Sequence, residues 1–250
     1  MKYFNKLLIS LMVICATFFF IVPMNAFSQS LKASLAAMPL SAVEDKDGNL
    51  TGAYVDLLRA LDKVTGSQTN IVVVPFKRSI KNLLDGKADF HIPLIEIPGL
   101  NQEDLPYTFS SETLFTVAFV LYTHKNRPLD INNLDKYSIA TDIAHTEFFP
   151  FPTIGKTCIS CAMKMVNLGR LDGFIFAQNE IDPFIIQFKL QNIHRQLYKN
   201  FDVKILIPKT ETGKKIDKYF TDGIKLLKQN GEYDKMLAPI VSPYNDWQPR

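Results

Sequence analysis

A seven-residue pattern that occurs twice, at Gly86–Ile92 and at Gly169–Ile175, most constrains what this chain can fold into. Each copy reads glycine, a basic residue, an apolar residue, Asp, two further residues and Ile, and each follows apolar residues at helical spacing. A glycine that ends a helix accepts the left-handed backbone conformation, and the apolar residues after the Asp are typical of a buried strand. The repeat indicates two α/β lobes built alike with a cleft between them; a chance match of two common helix-to-strand joints is the alternative.

The first 28 residues have the composition of a signal peptide rather than of a folded domain. Lys2 and Lys6 precede an uncharged apolar run at residues 7–22, and residues 26–28 offer the small side chains that a signal peptidase reads. We therefore predict cleavage before Gln29 and a periplasmic protein. An uncleaved membrane anchor is the alternative, although the apolar run is slightly short to span a membrane.

The charge of the remaining chain is close to balanced. Without Lys2 and Lys6, 26 of the 28 basic residues remain against 25 acidic ones, and they form no basic run. This balance argues against nucleic acid as a partner. The remaining length allows one large or two small domains with proper cores, and we expect a monomer.

Predicted strands and helices alternate along the mature chain, as in α/β proteins with a mostly parallel sheet. Strands are expected at residues 31–38, 71–75, 90–92, 114–122, 137–141, 174–177 and 203–207. Helices are expected after caps at Thr51 and Thr157, before Gly86, and at residues 179–190 and 213–229. The prolines in residues 93–109 predict an irregular segment. Residues 242–250 are predicted to form a loosely held tail.

The strands at 114–122 and 203–207 divide the chain into three blocks. If both cross between the lobes, the last helix returns to the first lobe. The predicted fold is therefore an α/β two-lobe clamp with two hinge-crossing strands, a design that closes around a ligand. Lobe one is predicted to comprise residues 29–120 and 206–250, and lobe two residues 121–205.

Five stretches, in their order along the chain, carry a resemblance to a known family. They are Asp47–Gly52 with Tyr54–Leu58, Pro75–Asp89, Thr108–Ser110, Gly169–Ile175 and Ile224–Asp234. In this order they resemble the family 3 extracellular solute-binding proteins, which have the type-two periplasmic-binding-protein fold. The resemblance implies a small-molecule ligand and, as partner, an inner-membrane ABC permease. A membrane receptor that reads the ligand state is the alternative partner.

Two departures from that family concern its clamp for α-amino acids. The resemblance implies an Arg between the first joint and the Phe109-Ser110 pair, where a guanidinium would hold the ligand's carboxylate. Residues 91–108 contain neither Arg nor Lys. The resemblance also implies an Asp that binds the ligand's ammonium group, at the position that Ala177 occupies in this sequence. We therefore predict a ligand that is not held in the usual α-amino-acid manner.

Candidate ligand-binding residues follow from the rule that ligands of open α/β lobes lie beyond the carboxyl ends of strands. The predicted residues are Phe76, Arg78, His91, Glu96, Ser110, Glu112, Asp142, His145, Thr146, Gln178 and Glu180. Arg78 would suit an anionic group and Glu96 a cationic one. The alternatives are ordinary ones: solvated helix and loop charges, helix caps, and a structural histidine at His91.

Cys158 and Cys161 are the sharpest chemical feature of the mature chain. In an exported protein two cysteines three positions apart are expected to form a disulfide. A local structural bridge is one reading, and a redox-active pair at a helix start is another, because the helix dipole lowers a thiol pKa. Free thiols are the third.

Other chemistry has little support in the sequence. The histidines at positions 91, 124, 145 and 194 are not paired at metal-ligand spacing, and no catalytic motif is present. We expect no metal, no cofactor and no enzyme. The leading function is a solute-binding protein for an ABC-type transporter; the alternatives are a ligand-sensing subunit of a membrane receptor and a thiol-disulfide protein.

Overall fold

The computed structural model describes residues 30–250. The predicted signal peptide lies outside the described residues. Eleven strands form within the described part: β1 Ser30–Ala36, β2 Val43–Glu44, β3 Leu50–Thr51, β4 Gln68–Val74, β5 Phe90–Glu96, β6 Thr108–Phe109, β7 Phe115–His124, β8 Ile139–Asp142, β9 Ile154–Lys156, β10 Gly173–Ala177 and β11 Ile193–Ile207.

Six α-helices accompany these strands in residues 30–250. They are α1 Ala53–Thr65, α2 Phe76–Leu84, α3 Ile159–Asn167, α4 Gln178–Gln187, α5 Glu211–Gln229 and α6 Glu232–Leu237, with single 3-10 turns at Gln102–Asp104 and Leu134–Lys136. Gly66 ends α1 in the left-handed conformation that a glycine accepts at a helix C-terminus.

One curled sheet runs through the molecule in the order β4-β1-β5-β11-β7-β10-β8-β9, with β6 paired to β11. The strands at each end of this order are parallel, and the contacts of β11 with β5 and β7, and of β7 with β10, are antiparallel. Lobe one is built on β4, β1 and β5, and lobe two on β10, β8 and β9. The α/β two-lobe clamp is confirmed.

The two connecting strands are longer than predicted. β7 and β11 pair along most of their length, from Ile193 opposite His124 to Val203 opposite Phe115. The first half of β11 therefore belongs to the lobe-two side, and its end pairs with β5 of lobe one. Both strands continue through residues 120 and 205, so the lobe boundaries placed there stay predictions.

The two copies of the repeated joint have the same geometry. Gly86 and Gly169 have φ of 69° and 66°, the left-handed conformation expected at a helix C-terminus. The joint's Asp then accepts a backbone N–H from the start of the neighbouring parallel strand: Asp89 from Lys32 at 2.7 Å, and Asp172 from Ser138 at 3.0 Å. The Asp thus fixes where each strand begins, which explains its place in the pattern.

Several local expectations were wrong. Gly52 and Cys158, not Thr51 and Thr157, stand at the helix N-caps. The strand expected at residues 71–75 begins earlier, at Gln68, and lies at the edge of the sheet, where Val72 is 48 % exposed. Residues 93–96 continue β5 instead of forming an irregular segment, with a cis bond before Pro93.

The C-terminal tail is held by polar contacts, contrary to the prediction of a loose end. It has no regular secondary structure after Val241. Arg195, at the lobe-two end of β11, donates to the carbonyls of Asn245 and Trp247 and lies 4.3 Å from the centre of the Trp247 ring. Gln178 of α4 donates to the carbonyl of Ser242. The tail therefore runs from the helices of lobe one onto lobe two.

Candidate functional site

A small cavity lies between the lobes, beside the strands that connect them. Its volume is about 30 Å³, room for about one water molecule. Five aromatic side chains line it, from both lobes and from β7: Tyr54, Phe76, Phe115, Phe119 and Phe176. The polar side chains of lobe two that line it are His145, Asn179 and Glu180.

The positions of these residues follow from the sheet. Phe76 begins α2 directly after β4, and His145 lies in the turn after β8. Asn179 and Glu180 lie in the first turn of α4, which follows β10 without a loop. The carboxyl ends of strands from both lobes therefore face the same space, as expected for ligand sites in α/β proteins.

His145 joins the two lobes through aromatic contacts. It is 2 % exposed, and its ring lies 4.6 Å from that of Phe76 in lobe one and 5.2 Å from that of Phe176 in lobe two, both edge to face. Its Nδ1 lies 3.6 Å from a carboxylate oxygen of Asp142 and makes no hydrogen bond. Packing rather than polar contacts holds this ring.

Glu180 carries a carboxylate into the space between the lobes. The residue is 5 % exposed. Its Oε1 accepts a hydrogen bond of 2.6 Å from the Ser41 hydroxyl of lobe one, whereas its Oε2 has no hydrogen-bond partner. Burial raises the pKa of the Glu180 carboxyl group, and the Ser41 hydroxyl and the Leu40 N–H partly offset that rise. A buried carboxylate oxygen without a donor is costly, because it has lost its hydration.

Asn179 adds a second acceptor next to that carboxylate. Its Nδ2 donates to Oε1 of Glu180 at 3.3 Å, which fixes the orientation of the amide. Its Oδ1 is left without a partner. In the described part of the chain, four buried side-chain N or O atoms lack a hydrogen-bond partner, and three belong to residues of this cavity, His145, Asn179 and Glu180. This concentration of unsatisfied polar atoms makes the cavity the candidate site within residues 30–250.

Three of the eleven predicted site residues meet at this cavity: Phe76, His145 and Glu180. Arg78 is exposed on α2 and is not part of the lining. Thr146 lines a larger outer groove together with Lys77, Lys81 and Phe148. The sequence therefore identified loops that reach this cavity, but not which side chain of each loop faces it.

Glu96, Ser110 and Glu112 make structural contacts elsewhere. Glu96 pairs with Lys204 at 3.2 Å, and Glu112 with Lys228 at 3.3 Å. The Ser110 hydroxyl donates to the Glu112 carbonyl and accepts the N–H of Ile205, so it joins the chain to β11.

His91 is the structural histidine that the sequence offered as an alternative to a ligand contact. It is completely buried in β5. Its Nε2 lies 2.8 Å from the carbonyl of Pro93, which can only accept, so Nδ1 accepts from the Ser79 hydroxyl at 2.7 Å. Burial lowers the pKa of His91 to about 3.

Gln178 and Asp142 also have partners within the protein. Gln178 is bound by the tail at Ser242, and Oδ1 of Asp142 accepts the N–H of Ala144 in the turn that carries His145. Asp142 thus orders this turn, but no helix begins there, so it is not a helix cap.

Sequence reasoning missed several cavity residues, and the reasons differ. Tyr54 has the helical spacing of a core residue, and it is 1 % exposed, but its ring also lines the cavity and stacks on Phe115. Phe119 and Phe176 look like ordinary strand residues. Asn179 could have been found, since it directly precedes Glu180 after the second joint.

Two further features lie apart from the cavity. Cys158 and Cys161 form a disulfide at the start of α3, as predicted, and neither lines the cavity. Within residues 30–250 no group of three or more His, Cys, Asp or Glu side chains could hold a metal ion. Nor does that part of the chain contain a helix with the length and apolar character of a membrane span.

Comparisons with known proteins agree with this architecture. The sequence profile of the bacterial extracellular solute-binding proteins, family 3, matches residues 32–240. No curated protein matches. Among solved structures, a histidine kinase sensor domain with similarity to periplasmic binding proteins aligns with a TM-score of 0.71 at 13% identity, over 86% of this chain and 96% of that one.

Two further structures align nearly as well. A mutant of ArgBP from T. maritima gives a TM-score of 0.68 at 20% identity, over 84% of this chain and 94% of that one. The substrate-binding protein of an amino acid ABC transporter gives a TM-score of 0.66 at 19% identity, over 85% of this chain and 99% of that one. At these identities the likeness concerns the fold.

Proposed function

The chain belongs to the bacterial extracellular solute-binding proteins of family 3, and on that basis we propose that it captures a small solute between its two lobes and delivers it to an ABC-type transporter. The observation that carries the proposal is the cavity, where acceptors of Asn179 and Glu180 are buried without partners. We further propose that the chain is exported, with cleavage before Gln29, and acts as a monomer binding protein rather than as an enzyme.

The cavity supports a binding cycle in which the lobes part and close. Its volume of about 30 Å³ is too small for most solutes, so a larger ligand enters as the lobes separate. Contacts that cross the cleft, such as Ser41 to Glu180 and Phe76 to His145, would re-form around it. The long paired strands β7 and β11 are suited to act as the hinge.

The missing amino-acid clamp remains a part of the proposal. No Arg or Lys is among the side chains that line the cavity, so nothing there would hold an α-carboxylate by charge. Ala177 lines the cavity at the position where the family's ammonium-binding Asp was expected. The relatives that bind amino acids are therefore a guide to the fold and not to this ligand.

The test is a melting-temperature screen of the protein purified after expression of the full chain. The panel spans amino acids, amines, organic acids, sugars and nucleosides. A ligand at about 100 times its Kd adds roughly 2.7 kcal/mol of stability, which is several degrees in Tm. A reproducible shift with one chemical class supports the proposal, and the absence of any shift over the whole panel counts against it.

A second candidate is a sensor subunit that reports ligand occupancy to a membrane receptor. The likeness to a histidine kinase sensor domain favours it. Crosslinking of the exported protein to membranes of its host separates the two: a permease partner supports transport, and a receptor partner supports sensing. Thiol-disulfide chemistry at Cys158 and Cys161 is the third candidate, which a reductase assay tests directly.

A further inference from the structure

We propose that the ligand of this cavity is a small primary amine that carries no carboxylate, bound as its ammonium cation between Glu180 and Asn179. The inference rests on the proposed function, because it assigns a chemical class to the solute held between the lobes. It departs from the amino acids bound by relatives in one defined respect, the missing carboxylate.

The hydrogen-bonding groups of the cavity call for a donor. Glu180 Oε2 and Asn179 Oδ1 are both acceptors, both belong to buried residues of the first turn of α4, and both lack a partner. An ammonium group presents three N–H donors and no acceptor. It would satisfy both oxygens, and charge assistance makes the contact to the carboxylate the stronger one.

The charge of the cavity also favours a cationic ligand. The lining contains one carboxylate, Glu180, and no Lys or Arg to balance it. A buried charge is stable only when it is paired. A cationic ligand would supply that pair, and the raised pKa of the Glu180 carboxyl group is consistent with its lack of a counter-charge in the protein.

The rest of the lining suits an apolar group. Phe76, Phe119 and Phe176 line the same cavity as the two acceptors, and so do Met38 and Val117. Aromatic faces attract a cation and favour contact with hydrocarbon. A ligand carboxylate placed there would lose its water without gaining a cationic partner, so the cavity discriminates against the amino acid that corresponds to a given amine.

Matched pairs that differ by one carboxylate test the proposal. We would measure binding by calorimetry for ethylamine against alanine, isobutylamine against valine, and phenethylamine against phenylalanine, with methylamine as the smallest probe. The expected result is that at least one amine binds, and binds at least tenfold more tightly than its amino acid.

The other outcomes overturn the inference and separate it from the proposed function. If an amino acid binds more tightly than its amine, or if only a neutral or anionic solute of the larger screen binds, the amine assignment is wrong and solute binding stands. If no member of either panel binds, both the amine assignment and the proposed function fail.

Variants at the acceptors give a second test. Glu180→Gln keeps the shape but removes the charge, and we expect at least a tenfold loss of amine affinity. Glu147→Gln, an exposed carboxylate in the turn after β8, is the matched control and should bind as the wild type does. Wild-type affinity in Glu180→Gln overturns the inference; if that variant does not fold, Asn179→Ala must lose affinity by several-fold or the inference fails.

Discussion

Oε1 of Glu180 lies 2.6 Å from the hydroxyl of Ser41, although 139 positions separate the two residues in the sequence. Ser41 belongs to lobe one and Glu180 to lobe two, so one hydrogen bond joins the lobes at the cavity. Tyr54 of α1 lies close to the same pair, and burial followed by the charge of Glu180 raises the pKa of its phenol. The contact holds the carboxylate in place while leaving its second oxygen free.

The first prediction concerns the cost of that free oxygen. Burial raises the pKa of Glu180 above its ordinary value of 4.5, so above pH 4.5 the folded state holds a proton that the unfolded state has released. The contribution of Glu180 to stability therefore falls as pH rises, until the folded carboxyl group ionises. Without ligand, Glu180→Gln should be more stable than wild type at pH 7 by about 1–3 kcal/mol, and by less at pH 4.5.

Urea unfolding of wild type and Glu180→Gln at pH 7 and at pH 4.5 measures this difference in stability. Glu147→Gln, which changes an exposed carboxylate, should differ little from wild type. A Glu180→Gln variant that is less stable than wild type at pH 7 would contradict the argument and indicate a structural carboxylate.

The sequence predicted the fold well because its signals are local. A helix-ending glycine and an Asp that binds the start of a neighbouring strand act within a few residues, so both joints could be found by pattern, and both have the expected left-handed glycine. The strand ends that carry candidate site residues were found by the same reasoning.

The site itself depends on contacts between distant segments, which pattern cannot supply. Glu180 could be placed on the correct loop, but its partner Ser41 and its unpaired oxygen depend on how the lobes meet. Arg78 and Phe76 are two positions apart on one helix, and only Phe76 faces the cavity. The tail looked loose because Arg195, which holds it, lies on a strand that the sequence did not predict to begin so early.

The second prediction concerns His91 and acid. Its pKa is lowered to about 3, so between pH 6.5 and that value the unfolded state binds a proton that the folded state does not. The contribution of His91 to the free energy of unfolding therefore falls as pH falls, by about 1.4 kcal/mol per pH unit. Urea unfolding between pH 7 and pH 4 should give a shallower pH dependence for His91→Asn than for wild type. An equal slope would show that His91 is protonated without loss of the fold.

The third prediction concerns Arg195, which is 1 % exposed and forms two hydrogen bonds with Asp182, at 2.9 and 2.5 Å. Its removal leaves Asp182 without its counter-charge and two tail carbonyls without their donor. Arg195→Ala should therefore cost about 3–5 kcal/mol, measured by urea unfolding, and make the tail sensitive to protease. Lys214→Ala, which breaks an exposed pair with Glu211, should cost less than about 1 kcal/mol. Similar losses in the two variants would argue against the tail contact.

The fourth prediction concerns the disulfide between Cys158 and Cys161. It closes a loop of sequence separation 3, so the entropy argument gives it about 1–2 kcal/mol of stability. Cys158→Ser should lower the unfolding free energy by that amount and leave ligand affinity unchanged, because neither cysteine lines the cavity. Loss of a reductase or isomerase activity in the variant, with no change in stability, would instead favour redox chemistry.

The last prediction concerns Gly52, which lies against the backbone of Ser41, the hydrogen-bond partner of Glu180. Its φ is 116°, and a Cβ at this position would lie 2.6 Å from the backbone carbon and oxygen of Ser41. An alanine there is strained by its own backbone and also pushes Ser41 away, since backbone atoms cannot yield as a flexible side chain does. Gly52→Ala should therefore cost about 2 kcal/mol or more and weaken ligand binding, because the carboxylate loses the hydroxyl that orients it.

Gly48→Ala is the matched control for this variant. Gly48 has a φ of 82°, but a Cβ there would meet no atom within 4 Å. This variant carries the cost of the left-handed conformation alone, about 1 kcal/mol, and should leave ligand affinity unchanged. Unfolding free energy and affinity measured on both variants separate backbone strain from displacement of Ser41. If Gly52→Ala behaves like Gly48→Ala in both measurements, the close approach of Gly52 to Ser41 does not position the carboxylate of Glu180.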